Sequence, residues 1–354
     1  MKNIYEGNYK RLVLIPIALL LISLFIVFVY PKVSMGIDFT GGTRILLRTD
    51  APIKQELFKA KLAEKYPLQE LSITSTSNPS GGYGAVVQYS SNRDFTSAQE
   101  KIDLAEQLAP GDAARAMETL LSIQPVLSKY AVLETIKSTK IDEAISEAKT
   151  LLDVANEHFT QEIEEIAKKE FGITQISSQR REVGASLGKA FVESSFWMVA
   201  MAAFFIVIVV FAFFREIIPS AAILGAALID IMFAVAMMAV LSIPFSLSSI
   251  ASLLMLLGYS IDTDVLLTTR VLKRKEGTEK ERAMGSVATG LTMTFTAIAA
   301  LGVMLVLAYF YQIQVIFEIA AILIFGLLAD IPATWLMNGP VLLWYAESKK
   351  GASR

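Results

Sequence analysis

Six stretches of the chain, 12–30, 194–214, 217–241, 247–268, 286–309 and 317–345, are long and apolar enough to cross a bilayer. A span needs about 20 mostly apolar residues to cover a hydrocarbon core of roughly 30 Å. Inside lipid every backbone N–H and C=O must find its partner within the protein. The chain is therefore expected to be an α-helical membrane protein with six transmembrane helices. Its composition agrees: 54% of the 354 residues are hydrophobic and the mean hydropathy is +0.51, above the roughly 45–50% apolar share of soluble domains. The first stretch exceeds a secretory h-region and no A-x-A-like site follows it, so it reads as an uncleaved anchor.

Short basic segments set the orientation. Lys2, Lys10 and Arg11 lie in segment 1–11. Arg215 separates the second and third stretches. Arg270, Lys273, Arg274, Lys275, Lys280 and Arg282 fill 269–285, and Lys349, Lys350 and Arg354 fall in 346–354. With six spans these four segments share one face, expected to be the cytoplasm. The opposite loops, 242–246 and 310–315, carry no basic residue. This makes a multi-pass protein of the cytoplasmic (plasma) membrane with both termini cytoplasmic, and places residues 31–193 on the extracytoplasmic side.

That segment is expected to be an α+β domain carrying a helical insertion. Strand-like stretches at 43–49, 70–77 and 83–90 surround a helix-like stretch at 53–65, with Asn78-Pro79-Ser80-Gly81-Gly82 as a hairpin turn. Residues 95–172 read as three or four helices divided near Pro110-Gly111 and Pro125, and 172–179 as a returning strand. The insertion's apolar stripes either join the domain's own core or dock a partner.

Several chemistries are excluded. A net charge of -2 does not suit a strongly basic nucleic-acid binder, and with no cysteine there is no thiol nucleophile or thiolate metal site. The lone histidine, His158, lies in a charged helical stretch and reads as solvated. Residues 184–190 (GASLGKA) resemble a phosphate loop, but the glycine spacing is one residue short and no Ser or Thr follows the Lys. No enzymatic activity and no cofactor or metal is expected.

Ionisable residues inside spans are costly and are functional candidates by default. Asp230 lies in the third span, Asp262 and Asp264 in the fourth, and Asp330 in the sixth, with Glu318 at its mouth. None has a Lys or Arg at its depth. Asp262 and Asp264 stand about 200° apart on a helix and cannot face the same cavity. Asp262 is favoured as the functional one, because Gly258, Ser260, Thr263 and the Thr289, Thr292, Thr294 and Thr296 cluster would line a wet path beside it. Asp264 would reach headgroup water, and interhelical hydrogen bonding is the alternative for all four.

Several motifs together carry a resemblance. GIDFTGGT (36–43) follows the first span and contains Gly36, Asp38, Gly41 and Gly42. VGASLGKA (183–190) precedes the second span, ALID (227–230) lies in the third, and SSIASLLMLLGYSID (248–262), with Gly258, Tyr259 and Ser260, lies in the fourth. PVLLWY (340–345) closes the sixth. In these the chain resembles the SecF family of protein-export membrane proteins, and its departures look like the family's archaeal branch. The resemblance implies an RND-like half, a SecD homologue and a SecYE-type channel as partners, and handling of translocating polypeptides with proton coupling. Where the bacterial pattern GYSxND has its acid, this chain has Thr263; the SecD-like pattern aligns an acid with Asp262 instead. The fifth-span Arg of bacterial members falls at Gly290 here. Three readings stay open: a translocation accessory subunit, half of an RND-type proton-coupled small-molecule exporter, and an uncoupled scaffold for the channel. A neighbouring gene for a second six-span protein with a GLDLxGG-like motif would separate the first from the second.

Overall fold

The structure, a computed structural model, describes residues 4–31, 33–77, 82–130, 136–183, 185–274, 276–311 and 313–352. The 78–81 part of the expected hairpin turn, and Lys2, Gly184, Lys275 and Arg354, lie outside the described residues. The chain divides into two units, Ile37–Lys189 and the pair of segments Met1–Gly36 with Ala190–Arg354.

The first unit is a four-stranded antiparallel sheet with helices on one face. In order across the sheet the strands are Ser72–Ser77, Tyr83–Tyr89, Gly42–Thr49 and Ile176–Val183. Leu47 pairs with Ala85 on one side and Ser178 on the other. The strand Gly42–Thr49 buries every second residue (Thr43, Ile45, Leu47 and Thr49), as a one-sided sheet requires. Helices Gln55–Lys65, Arg93–Leu108, Ala113–Leu121, Gln124–Leu127 and Ile141–Phe171 supply the other half of the core. The long helix buries Ala148, Leu152, Ala155, Phe159, Ile163 and Ala167 at three- and four-residue spacing. Phe159 meets Tyr66, Tyr89, Phe95 and Tyr130 edge-on. The insertion therefore shares one core with the sheet. Gly172, at φ +65°, ends the long helix in a left-handed cap. That cap displaces the returning strand from the expected 172–179 to Ile176–Val183.

The second unit contains six helices long and apolar enough to span a membrane: Tyr9–Phe28, Ala190–Phe214, Ile217–Val240, Leu247–Lys273, Glu279–Phe310 and Gln314–Lys349. The third, fourth and sixth are the inner helices, and the first, second and fifth are mostly uncovered by the rest of the chain. Small residues allow the close approach. A Cβ on Gly326 of the sixth span would come within 2.2 Å of Leu256 of the fourth, and one on Gly290 of the fifth within 2.3 Å of the Trp335 ring. The expected loop 269–285 is shorter than the apolar boundaries indicate. The fourth helix continues to Lys273 and the fifth begins at Glu279, capped by Thr278 and Glu281 in a reciprocal capping box. Charged side chains suit the ends of these helices because they sit where headgroups and water replace lipid tails.

The sixth span is irregular. Its α-helix Gln314–Pro332 passes into a π turn, Ala333–Asn338, and resumes at Gly339–Ala352. Pro332 has no N–H for the carbonyl four residues back, which loosens the ladder where the π turn begins.

Candidate functional site

Three inner helices bring three aspartates together. Asp230, Asp264 and Asp330 are each 0% exposed. Ser260, one turn before Asp264 on the fourth span, donates to Asp230 Oδ2 at 2.5 Å. Asp330, Thr334 and Asn338 form an i, i+4, i+8 polar stripe on the sixth span. Thr334 Oγ1 lies 2.9 Å from Asp264 Oδ1 and 2.9 Å from Asp330 Oδ1, and Asn338 Nδ2 donates to Asp264 Oδ1 at 2.7 Å.

The hydrogen-bond count is short of donors. Thr334 has one hydroxyl hydrogen for two carboxyl oxygens. Asp230 Oδ1, Asp264 Oδ2, Asp330 Oδ2 and Asn338 Oδ1 are buried and make no hydrogen bond among the described residues. A buried acceptor left without a donor costs about 1–3 kcal/mol. The arrangement holds three carboxyl groups, two hydroxyls and a carboxamide in one buried polar cluster.

Asp262 is not part of this cluster. It is exposed, on the side of the fourth span away from the buried stripe of Leu256, Ser260, Thr263, Asp264, Leu267 and Val271. The expected ranking of the two fourth-span acids is reversed in position: Asp264 enters the interior and Asp262 faces out. Polar neighbours in sequence suggested otherwise, but helical phase decides. Gly258 and Tyr259 are also exposed, so of that motif only Ser260 reaches the cluster. Thr292 and Thr296 are exposed and spend their hydroxyls on Ala288 and Thr292 carbonyls of their own helix. Thr334, Asn338 and Trp335 escaped the sequence reading. Thr334 and Asn338 carry a signal in their four-residue polar spacing from Asp330, and Trp335 carries none. Glu318, 2% exposed, accepts from Ser248.

The glycine motif has a backbone explanation. Gly36 N donates to Phe245 O at 2.7 Å, and a Cβ on Gly36 would come within 2.9 Å of that oxygen. Gly41 and Gly42 have φ of +73° and +124°, and a Cβ on Gly42 would stand 2.4 Å from Tyr89 O. Asp38, 3% exposed on the short helix Ile37–Thr40, pairs with Arg181 of the strand Ile176–Val183 at 3.0 Å.

The family comparisons agree with these motifs. A profile for "Protein export membrane protein SecD/SecF, C-terminal" matches residues 162–348, and one for the "SecD/SecF GG Motif" matches residues 31–53. The chain belongs to the SecD/SecF family. It is 46% identical to the protein-export membrane protein SecF of Methanothermobacter thermautotrophicus over 178 residues, which are 50% of this chain and 62% of that protein. It is 30% identical to SecF of Haloferax volcanii over 341 residues, 95% of this chain and 92% of that one. The crystal structure of SecDF from Thermus thermophilus, a translocon-associated membrane protein, has a TM-score of 0.62 at 17% identity, covering 96% of this chain and 38% of that one. At that identity the likeness speaks for the fold. All three membrane aspartates of the cluster fall within the SecD/SecF C-terminal match, and Gly36, Asp38, Gly41 and Gly42 within the GG motif.

Proposed function

We propose that this protein is an accessory subunit of Sec protein translocation, acting with a SecD homologue beside a SecYE-type channel to move or release exported polypeptides. Its energy input is the proton gradient, taken up at Asp230, Asp264 and Asp330. The observation that carries the coupling is the donor-poor junction of Thr334 with two buried carboxyls. A single proton passing between Asp264 and Asp330 changes which partner Thr334 serves, and so biases the packing of the fourth span against the sixth. Membership in the SecD/SecF family supports the translocation role.

The basic ends of the spans, with Arg270, Lys273, Arg274, Arg282 and Lys349, face the cytoplasm in this reading, and the sheet-and-helix unit lies outside. Complementation tests the role. In cells lacking their own SecF, this chain should restore export of a secreted reporter only when a matching SecD homologue is present. Equal restoration without any SecD homologue contradicts it.

A scaffold role without coupling is the second reading. It is favoured by Gly290, the position to which the resemblance assigns the fifth-span Arg of bacterial members, because the Trp335 ring leaves no room there for a side chain.

A further inference from the structure

Tyr5 is among the largest fully buried side chains in the molecule, although Ile4 before it is 40% exposed and residues 6–8 are exposed. The chain dips inward at Tyr5, turns at Gly7 with φ +91°, and dips again at Tyr9. Tyr5 Oη donates to the Trp335 carbonyl at 3.0 Å, inside the π turn that carries Thr334 and Asn338. A Cβ on Gly339 would stand 2.6 Å from that hydroxyl, so the glycine leaves the space Tyr5 occupies. Tyr9 is fastened separately, donating to Glu347 and lying under the Lys280 ammonium at 5.2 Å from its ring centroid.

Tyr5 and Tyr9 complete an apolar cluster with Leu267, Val271, Val287, Trp335 and Leu342. Leu267 and Val271 follow Asp264 by one and two turns, Val271 standing roughly 10 Å further along the helix axis. Leu342 follows Asn338 by one turn. The cluster therefore lies between the aspartates and the basic helix ends. Burial pushes the Tyr5 phenol's pKa up, so it stays neutral and able to donate.

We propose that residues 4–9 form a gate, in which Tyr5 closes the basic end of the aspartate cluster against water and acts as a positioning residue for the π turn. The gate rests on reading that cluster as a proton-exchanging site, but its test does not measure protons.

The chain has no cysteine, so single-cysteine reporters label cleanly. Full-length protein in open membrane sheets, accessible from both faces, would carry Leu342→Cys in the apolar cluster or Ile322→Cys, 1% exposed, in the separate buried cluster with Leu256 and Leu323. A charged, membrane-impermeant thiol reagent should modify Leu342→Cys at least tenfold faster when combined with Tyr5→Ala, and about threefold faster with Tyr5→Phe. The Ile322→Cys rate should not change. Equal Leu342→Cys rates with Tyr5, Phe and Ala overturn the gate. If Tyr5→Ala exposes both reporters through unfolding, Tyr5→Phe decides, with an unchanged Leu342→Cys rate counting against the gate. The labelling is read without any proton gradient, so gradient-dependent export that survives Asp264→Asn while Tyr5→Phe still speeds the labelling would sink the coupling reading and leave the gate standing.

Discussion

Thr334 shows how one hydroxyl sets the terms for two helices. It stands 2.9 Å from carboxyl oxygens on the fourth and sixth spans and can donate to one of them at a time. Thr334→Val keeps the shape and removes the hydrogen-bonding oxygen. Thermal unfolding in detergent should report a loss of about 1–3 kcal/mol, the cost of leaving a buried acceptor unmet, and export should fall with it. Gly290→Ala tests packing beside the same site. Its new Cβ would sit 2.3 Å from the Trp335 ring. The expected cost is about 1–3 kcal/mol, typical of an overpacked core, read as a lower melting temperature. An unchanged melting temperature would mean that the fifth and sixth spans are looser than the structure has them.

At the scale of elements, the insertion and the sheet stand or fall together. Phe159 on the long helix is buried against rings from the Tyr83–Tyr89 strand, the Arg93–Leu108 helix and the turn at Tyr130. Phe159→Ala should therefore cost about 3–5 kcal/mol and loosen the whole unit, whereas a separately folded insertion would leave amide-exchange protection of the sheet intact. Asp50, just after the strand Gly42–Thr49, accepts from the Thr174 hydroxyl and backbone N–H. The Thr174 hydroxyl holds the Asp50 carboxyl below the usual aspartate range. A lowered pKa in the folded state gives stability that is present above the unfolded pKa of about 4 and lost as pH falls through the folded value. Asp50→Asn should flatten this acid limb in a pH series of melting temperatures, leaving the neutral-pH curve with the same slope.

Much of the element plan was legible because its signals are local. Six apolar runs gave the spans, β-branched alternation marked the strand at 43–49, and proline and glycine divided the helices. The returning strand starts four residues later than its composition indicates, because Gly172 caps the preceding helix. The site was legible only in part. Each membrane aspartate stood out as a charge in an apolar run, but choosing between Asp262 and Asp264 needed the helical phase set by distant packing. Tyr5 gave no sequence signal, since its partner Trp335 lies 330 residues away.

Across the whole molecule, a folded sheet-and-helix unit accompanies six spans whose inner three helices share a cluster of buried aspartates. Under the proposed function, Asp264 and Asp330 couple export to the proton gradient and Asp262 does not. The direct measurement is reporter export into inverted membrane vesicles containing the channel, the SecD homologue and this chain, with and without an imposed proton gradient. Asp264→Asn and Asp330→Asn should each reduce the gradient-dependent part of export at least tenfold, while Asp262→Asn retains it at equal protein levels. Gradient-dependent export that survives both cluster substitutions, or is lost with Asp262→Asn, would contradict it.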